Sequence, residues 1–200
     1  MTETEEPRPA PEGHRERKRR ETARRIADAG LRLFIANGYE ATTLDAIAAE
    51  AGISRRTFFY YFKSKDDILL SMVGSFDELI AEAFRDEPST KKPIDATRDA
   101  LIRVCARYPA EEMTVIDRIM RSSPAVQARK QATYIQQEET LFRLLRERWP
   151  APQRKDALRL VAMTAVGAMR VSLETLYREE GKRPLPDLVR AAFEALEAEI

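Results

Sequence analysis

The 200-residue chain reads as an all-α protein of about nine helices, three in a small N-terminal domain and the rest in a larger one. Apolar residues recur at spacings of three and four through most of its length, as on one face of a helix. No stretch alternates with the period of two that a half-buried strand requires. The eleven prolines and seven glycines mostly cluster between the periodic stretches, where they act as boundaries.

Residues 1–13 hold three prolines and four acids without an apolar cluster, the composition of a disordered tail. From Arg15 the pattern turns helical, and Ile26, Ala29, Leu33 and Phe34 form one apolar face. Asn37-Gly38 ends that helix, with Gly38 suited to a left-handed terminal position. Thr42 is placed to cap a short second helix, with Asp45 completing a capping box. Gly52 interrupts the second helix, and Ser54 caps a third whose inner face is Ile53, Thr57, Phe58 and Phe62. Ser64 then opens one long helix, with Asp66 and Asp67 in its first turn where carboxylates favour the positive end of the dipole. After the polar break 88–93, prolines bound further helices at about 94–107, 110–121, 124–148, 153–180 and 185–199. This gives a tail at 1–13, a small domain at 14–63 and a larger one at 64–200.

Net charge is +1, but it is unevenly spread. Residues 13–65 carry twelve Lys and Arg against six Asp and Glu, while the remainder of the chain is close to neutral or acidic. A basic N-terminal third suggests a polyanion-binding end on a body with another task. A solvated charged helix would give the same composition, so placement has to decide.

Placement does so between residues 43 and 62. Two short helices crossing steeply need small residues at their contact and a glycine in the turn. Ala48, Ala49 and Gly52 supply them, and Ile47, Ile53 and Phe58 form the buried wedge. This is a helix-turn-helix, whose second helix can lie in the major groove with its first turn nearest the bases. That turn reads Ser54-Arg55-Arg56-Thr57, and arginine pairs with guanine or phosphate. Tyr60 and Tyr61 follow one turn later and could reach phosphates or thymine methyls, although one of them could equally pack inward. Phe59 reads as core more than contact. Thr43, beside the free amides of the second helix, and Lys65 suit phosphates. The basic run containing Arg19 and Arg20 could follow the DNA backbone, enter the minor groove or simply aid solubility.

These residues resemble the TetR family of transcriptional regulators. The matching positions run from Thr22, Ile26, Ala29, Phe34 and Gly38 through Thr42-Thr43, Ile47-Ala48, Ala51-Gly52-Ile53-Ser54 and Thr57 to Tyr60-Tyr61-Phe62 and Lys65. They cover about one third of the chain. Phe59 departs from the tyrosine that many members carry, which removes one possible hydroxyl contact. The resemblance implies a homodimer that binds a palindromic double-stranded operator in the cytoplasm, generally as a repressor released by a small-molecule effector. It carries DNA contacts onto Thr43, Arg55, Arg56, Thr57, Tyr60, Tyr61 and Lys65. The run Arg55 to Phe62 further resembles the subgroup that includes the mycofactocin-system regulators, which implies an acyl-CoA-like effector.

In the body, the last two helices are the expected dimer interface. Ala162, Ala165, Val166, Met169 and Leu173 come from one, and Leu188, Ala192, Phe193 and Leu196 from the other. Intramolecular core is the competing reading. Candidate effector-pocket residues are Phe76, Val104, Met113, Ile116, Met120, Tyr134, Phe142 and Trp149, with Arg103 and Arg121 as orienting cations. An enzyme is not expected, and neither a metal nor a cofactor. His14 stands alone in the tail or arm region, Cys105 sits in an apolar helical pattern, and no nucleophile, metal-ligand or phosphate-loop motif occurs. No apolar run reaches the roughly 18 residues of a membrane span, no leader-like core is present, and a lone cysteine fits a reducing compartment. Two other readings stay open: a DNA-coating protein without sequence preference, and a helix-turn-helix that docks protein.

Overall fold

The computed structural model of the chain describes residues 14–74, 76–121 and 124–199, with the side chains of 72–74, 76 and 125 outside that description. The tail expected at 1–13 lies outside the described residues. All regular structure among the described residues is helical, in ten α-helical segments and one 3-10 turn. The chain divides into two compact units, one ending at Lys65 and the other beginning at Asp66.

The N-terminal unit holds α1 (His14–Asn37), α2 (Leu44–Glu50) and α3 (Arg55–Tyr61). His14 opens α1 instead of standing in a loose arm, and the basic run 15–20 is therefore helical. Ile26, Ala29 and Phe34 of α1, Ile47 and Ala48 of α2 and Phe58 of α3 are buried. The second helix is capped by Thr43, whose side-chain oxygen accepts from the Ala46 N–H, and not by Thr42 as the spacing suggests. Thr42 is buried, and its hydroxyl lies 2.8 Å from the Gly38 carbonyl oxygen and 3.1 Å from that of Leu33. Its single proton is shared between a carbonyl near the end of α1 and the one just beyond it, tying the connection back to the helix.

Gly52 makes the turn between α2 and α3. Its φ of +65° is left-handed, its N–H donates to Ala49 (3.0 Å), and the Ile53 N–H donates to Ala48 (2.9 Å). These are the two bonds of a Schellman termination. At the other end of the turn Ser54 caps α3, accepting from the Thr57 N–H at 3.1 Å.

The C-terminal unit holds most of α4 (Lys65–Gly74), then α5 (Phe76–Arg85), α6 (Pro93–Cys105), α7 (Ala110–Arg121), α8 (Pro124–Arg148), α9 (Lys155–Arg178) and α10 (Leu185–Glu199). The stretch expected as one long helix from Ser64 is described as α4 and α5, on either side of Ser75. At the start of α9, Pro152 cannot donate to a helical ladder, so residues 152–154 form a 3-10 turn and α9 proper begins at Lys155. Helix α9 is central and packs against α6, α8 and α10, while α7 lies on α8 and α9. Ala162 and Ala165, fully buried, let its neighbours approach closely. No helix among the described residues is long and apolar enough to cross a membrane.

A Cβ built on Gly52 meets nothing within 4 Å, so the backbone conformation alone demands glycine there. Gly52→Ala should therefore destabilise the N-terminal unit by roughly 1 to 2 kcal/mol, the cost of left-handed backbone for an L residue. Gly52→Asn should cost less, because asparagine visits that region more readily. Urea unfolding followed by circular dichroism measures both; an unchanged alanine midpoint would contradict the assignment.

Candidate functional site

Helix α3 presents its first turn to solvent. Arg55 and Arg56 are exposed and Thr57 is half-buried. The Ser54 and Thr57 hydroxyls bond each other at 2.8 Å, so this turn is ordered before anything binds it. The Arg55 guanidinium lies 2.8 and 3.1 Å from the two carboxylate oxygens of Asp45. Both side chains are more than half exposed, and such a pair contributes at most about 1 kcal/mol. Arg55 can therefore exchange Asp45 for a base edge or a phosphate at little cost. Arg56 has no ion-pair partner among the described residues.

The aromatic run sorts by helical angle. Phe58 and Phe62, four residues apart, face inward. Phe59, expected as core, is 43% exposed, because it stands about a quarter-turn away from that face. The Arg55 guanidinium lies 5.7 Å from its ring centroid. Tyr60 is 69% exposed, with the Arg19 guanidinium 5.9 Å from its ring. Tyr61 is half-buried and meets Tyr60 edge-on at 5.0 Å. Arg19 and Arg20 are exposed on α1. Being helical, they present a cationic face and not an extended arm.

Lys65 is differently placed from the phosphate contact expected of it. Its ammonium lies 2.7 Å from the Tyr39 carbonyl oxygen and 3.4 Å from that of Glu40, and 4.4 Å from the Tyr39 ring centroid. It ties the start of α4 to the connection between α1 and α2. Two residues on, Asp67 accepts from Arg129 of α8 at 2.9 Å.

The C-terminal unit holds a partly open cavity of about 110 Å³ among α6, α7, α8, α9 and the start of α10. Five expected residues line it: Val104, Met113, Ile116, Met120 and Tyr134. Four others do not. Trp149 is buried elsewhere, edge-on to Phe84, with its indole N–H 3.3 Å from the Ser89 carbonyl oxygen. Phe142 is half-buried beneath the guanidinium groups of Arg146 and Arg159. Arg103 pairs with the buried carboxylate of Glu87 and donates to the Ala83 carbonyl. Arg121 holds Asp117 from behind the wall. The side chain of Phe76 is outside the described residues.

Lys130, Gln137 and Tyr177 also line the cavity and carry no signal in the sequence pattern. Lys130 is only 9% exposed, and its ammonium lies 3.1 Å from Asp117 Oδ1 and 5.4 Å from the Tyr177 ring centroid. Asp117, 3% exposed, takes Arg121 on its other oxygen. Burial raises the phenols of Tyr134 and Tyr177 above the usual tyrosine range and keeps them protonated. It pushes the Cys105 thiol up to about 12, so at neutral pH this residue is an inert thiol against the Met169 sulfur.

The expected dimer residues are largely core. Ala162, Ala165, Val166, Met169, Leu188 and Phe193 are buried within the protomer, and Met169 and Leu173 line the cavity. Ala192 and Leu196 are half-buried. The apolar residues that α9 leaves outside are Leu160 (64% exposed), Met163 and Val171 (56% exposed). With half-buried Gly167 they stand on one stripe.

Two family models match the chain. One, described as bacterial regulatory proteins of the tetR family, covers residues 26–72, and the other, described as the MftR C-terminal domain, covers 91–200. The HTH-type transcriptional regulator TcmR of Streptomyces glaucescens is 34% identical over 118 residues, 58% of this chain and 52% of TcmR. The match thus spans about half of that relative. MftR of Mycobacterium tuberculosis, named for the regulation of mycofactocin biosynthesis, is 28% identical over 187 residues, 91% of this chain and 92% of its own. Among solved structures, the regulator FadR of Bacillus subtilis in complex with stearoyl-CoA superposes with a TM-score of 0.60 at 20% identity, covering 88% of this chain and 98% of FadR. That likeness is one of fold.

Proposed function

The chain belongs to the TetR family of bacterial regulatory proteins, and on that premise we propose that it is a sequence-specific repressor, released from a palindromic operator by a small molecule. It is a regulator and not an enzyme, like the relatives it matches. The observation that carries the proposal is the ordered, outward-facing turn Ser54–Thr57, with Arg56 unpaired and Arg55 held by an ion pair that exchanges readily. In this reading Arg55, Arg56 and Thr57 read base edges. Thr43, Ser54, Tyr60, Tyr61, Arg19 and Arg20 fix the position on phosphates. Lys65 acts from behind, as a clamp on the Tyr39 carbonyl.

A palindrome requires two reading heads about 34–36 Å apart. The second head comes from a second copy of the chain, joined through the outer stripe of α9, Leu160, Met163, Gly167 and Val171. This replaces the buried residues that the sequence pattern favours.

The effector site is the cavity of the C-terminal unit. The acyl-CoA class fits the subgroup resemblance and the stearoyl-CoA complex of the FadR neighbour. At about 110 Å³ the cavity encloses only the acyl end of such a molecule. Its lining helix α8 carries both Lys130, on the cavity, and Arg129, on Asp67 of α4. A ligand that engages Lys130 and shifts α8 would therefore move a contact at the first turn of α4. Such a ligand shifts the operator equilibrium only by its differential affinity for the two states.

Three outcomes test these assignments. Arg55→Ala with Arg56→Ala should remove the preference for a palindromic operator over random DNA, each lost base contact costing about 1 to 3 kcal/mol. Fluorescence anisotropy at fixed salt measures it; an even loss on all sequences would indicate a coating protein, and no loss a protein-docking module. Val171→Glu should shift the protein toward monomer in sedimentation velocity, whereas an unchanged mass would remove the stripe from the interface. Asp67→Arg or Arg129→Asp alone should alter operator affinity by up to about fivefold, the scale of about 1 kcal/mol for an exposed pair. The two together should restore it, and failure of that rescue would break the proposed relay.

A further inference from the structure

We propose that the cavity of the C-terminal unit takes a compact apolar carboxylic acid, with a body no larger than a benzene ring, whose carboxylate is held by the Lys130 ammonium. This deepens the preceding assignment of the cavity as the effector site and rests on it.

Charge is the first support. Asp117 is buried and shared by two cations, Lys130 on one oxygen and Arg121 on the other. These three groups together carry one net positive charge; the exposed Glu174 and the Arg170 over the Tyr134 ring stand nearby and offset each other, and the cation on the cavity wall is Lys130. Asp117 is not part of that wall, so a ligand meets the ammonium and not the carboxylate behind it. An ion pair in a water-poor site is stable when its remaining donors are also satisfied. Of the three Lys130 N–H groups, one is directed at Asp117.

Two further groups on the wall point the same way, while Tyr108 and Gln137, also on it, each have an interaction of their own. The hydroxyls of Tyr134 and Tyr177 have no hydrogen-bond partner among the described residues, and burial keeps both protonated and able to donate. With Lys130 they form a group of donors on one cavity. A carboxylate, with about four lone-pair positions and no proton, complements that group. An alcohol or amide would satisfy some of the donors and leave the surplus charge unanswered.

Size sets the rest of the ligand. An engineered cavity of about 150 Å³ admits benzene; this one is smaller, at about 110 Å³, and partly open, so it takes a ring-sized body only where its walls give and part of the ligand stands toward the open side. Three of its walls are the unbranched, adaptable side chains of Met113, Met120 and Met169, which can yield to an aromatic or branched aliphatic body. A coenzyme A thioester offers a neutral carbonyl to Lys130 and must leave its nucleotide outside.

The test is isothermal titration calorimetry of the full-length protein with benzoate, benzamide, benzyl alcohol and benzoyl-CoA, paired with operator binding in the presence of each. The expected result is one benzoate per protomer, with benzamide and benzyl alcohol at least tenfold weaker. Lys130→Met should abolish that preference while leaving any weak benzamide binding intact. Should Lys130→Met fail to fold, Tyr134→Phe with Tyr177→Phe should still lower benzoate affinity severalfold without weakening benzamide. Equal binding of benzoate and benzamide, or an unchanged preference in both variants, overturns the proposal. Release of the operator by benzoyl-CoA but not by benzoate also overturns it while leaving the effector site standing. Benzoate binding that depends on Lys130 but leaves operator affinity unmoved supports the ligand assignment and removes the cavity's role as a switch.

Discussion

Lys65 and Asp67 stand two residues apart in the first turn of α4, and a different unit of the protein holds each. Lys65 is fixed on the Tyr39 and Glu40 carbonyls of the N-terminal unit, and Asp67 on Arg129 of α8. The division between the units falls between them, after Lys65. The two contacts are joined by the backbone of one helical turn. No path of side-chain contacts between the units is required. The proposed control of DNA binding depends on this covalent constraint, and Lys65 anchors its N-terminal side through the Tyr39 carbonyl.

The reading head was the part of the chain most open to sequence reasoning, because its determinants are local. Ser54 and Gly52 act within a turn of their own positions, and Phe58 and Phe62 follow the helical period. The errors there are also local. Thr42 and Thr43 are equally good caps, and the choice was made by a tertiary need, tying the connection back to the end of α1. Phe59 was assigned inward on hydrophobicity alone, although the period that places Phe58 and Phe62 inside turns Phe59 outward.

In the body the determinants are between helices, and the pattern of any one helix underdetermines them. Helix α9 is apolar on more than one face. Small residues such as Ala162 and Ala165 announce close packing without saying against what. The structure places them against the protomer's own helices, which leaves Leu160, Met163 and Val171 as the outward stripe. Of the cavity wall, Val104, Met113, Ile116 and Met120 were legible as apolar positions on α6 and α7, and Tyr134 on α8. Lys130 was not, since it lies in a polar run, Arg129-Lys130-Gln131, that composition alone assigns to the surface. Its partner Asp117 is thirteen residues away on another helix.

The two arginine- and lysine-bearing sites show how exposure, more than charge, divides their roles. Arg55 and Asp45 meet with good geometry in solvent, where water replaces either partner with small loss, so the pair yields when DNA arrives. Lys130 and Asp117 meet largely out of solvent, while Arg121 reaches Asp117 from a side chain that is itself more than half exposed, so it is the Lys130–Asp117 contact that exchanges less readily. A buried group of that kind does not dissolve on contact with a ligand. It has to be completed by one, and the charge it lacks is negative. The same physical chemistry therefore suits the outer site to the proposed exchange with a polyanion and the inner one to the proposed small anion.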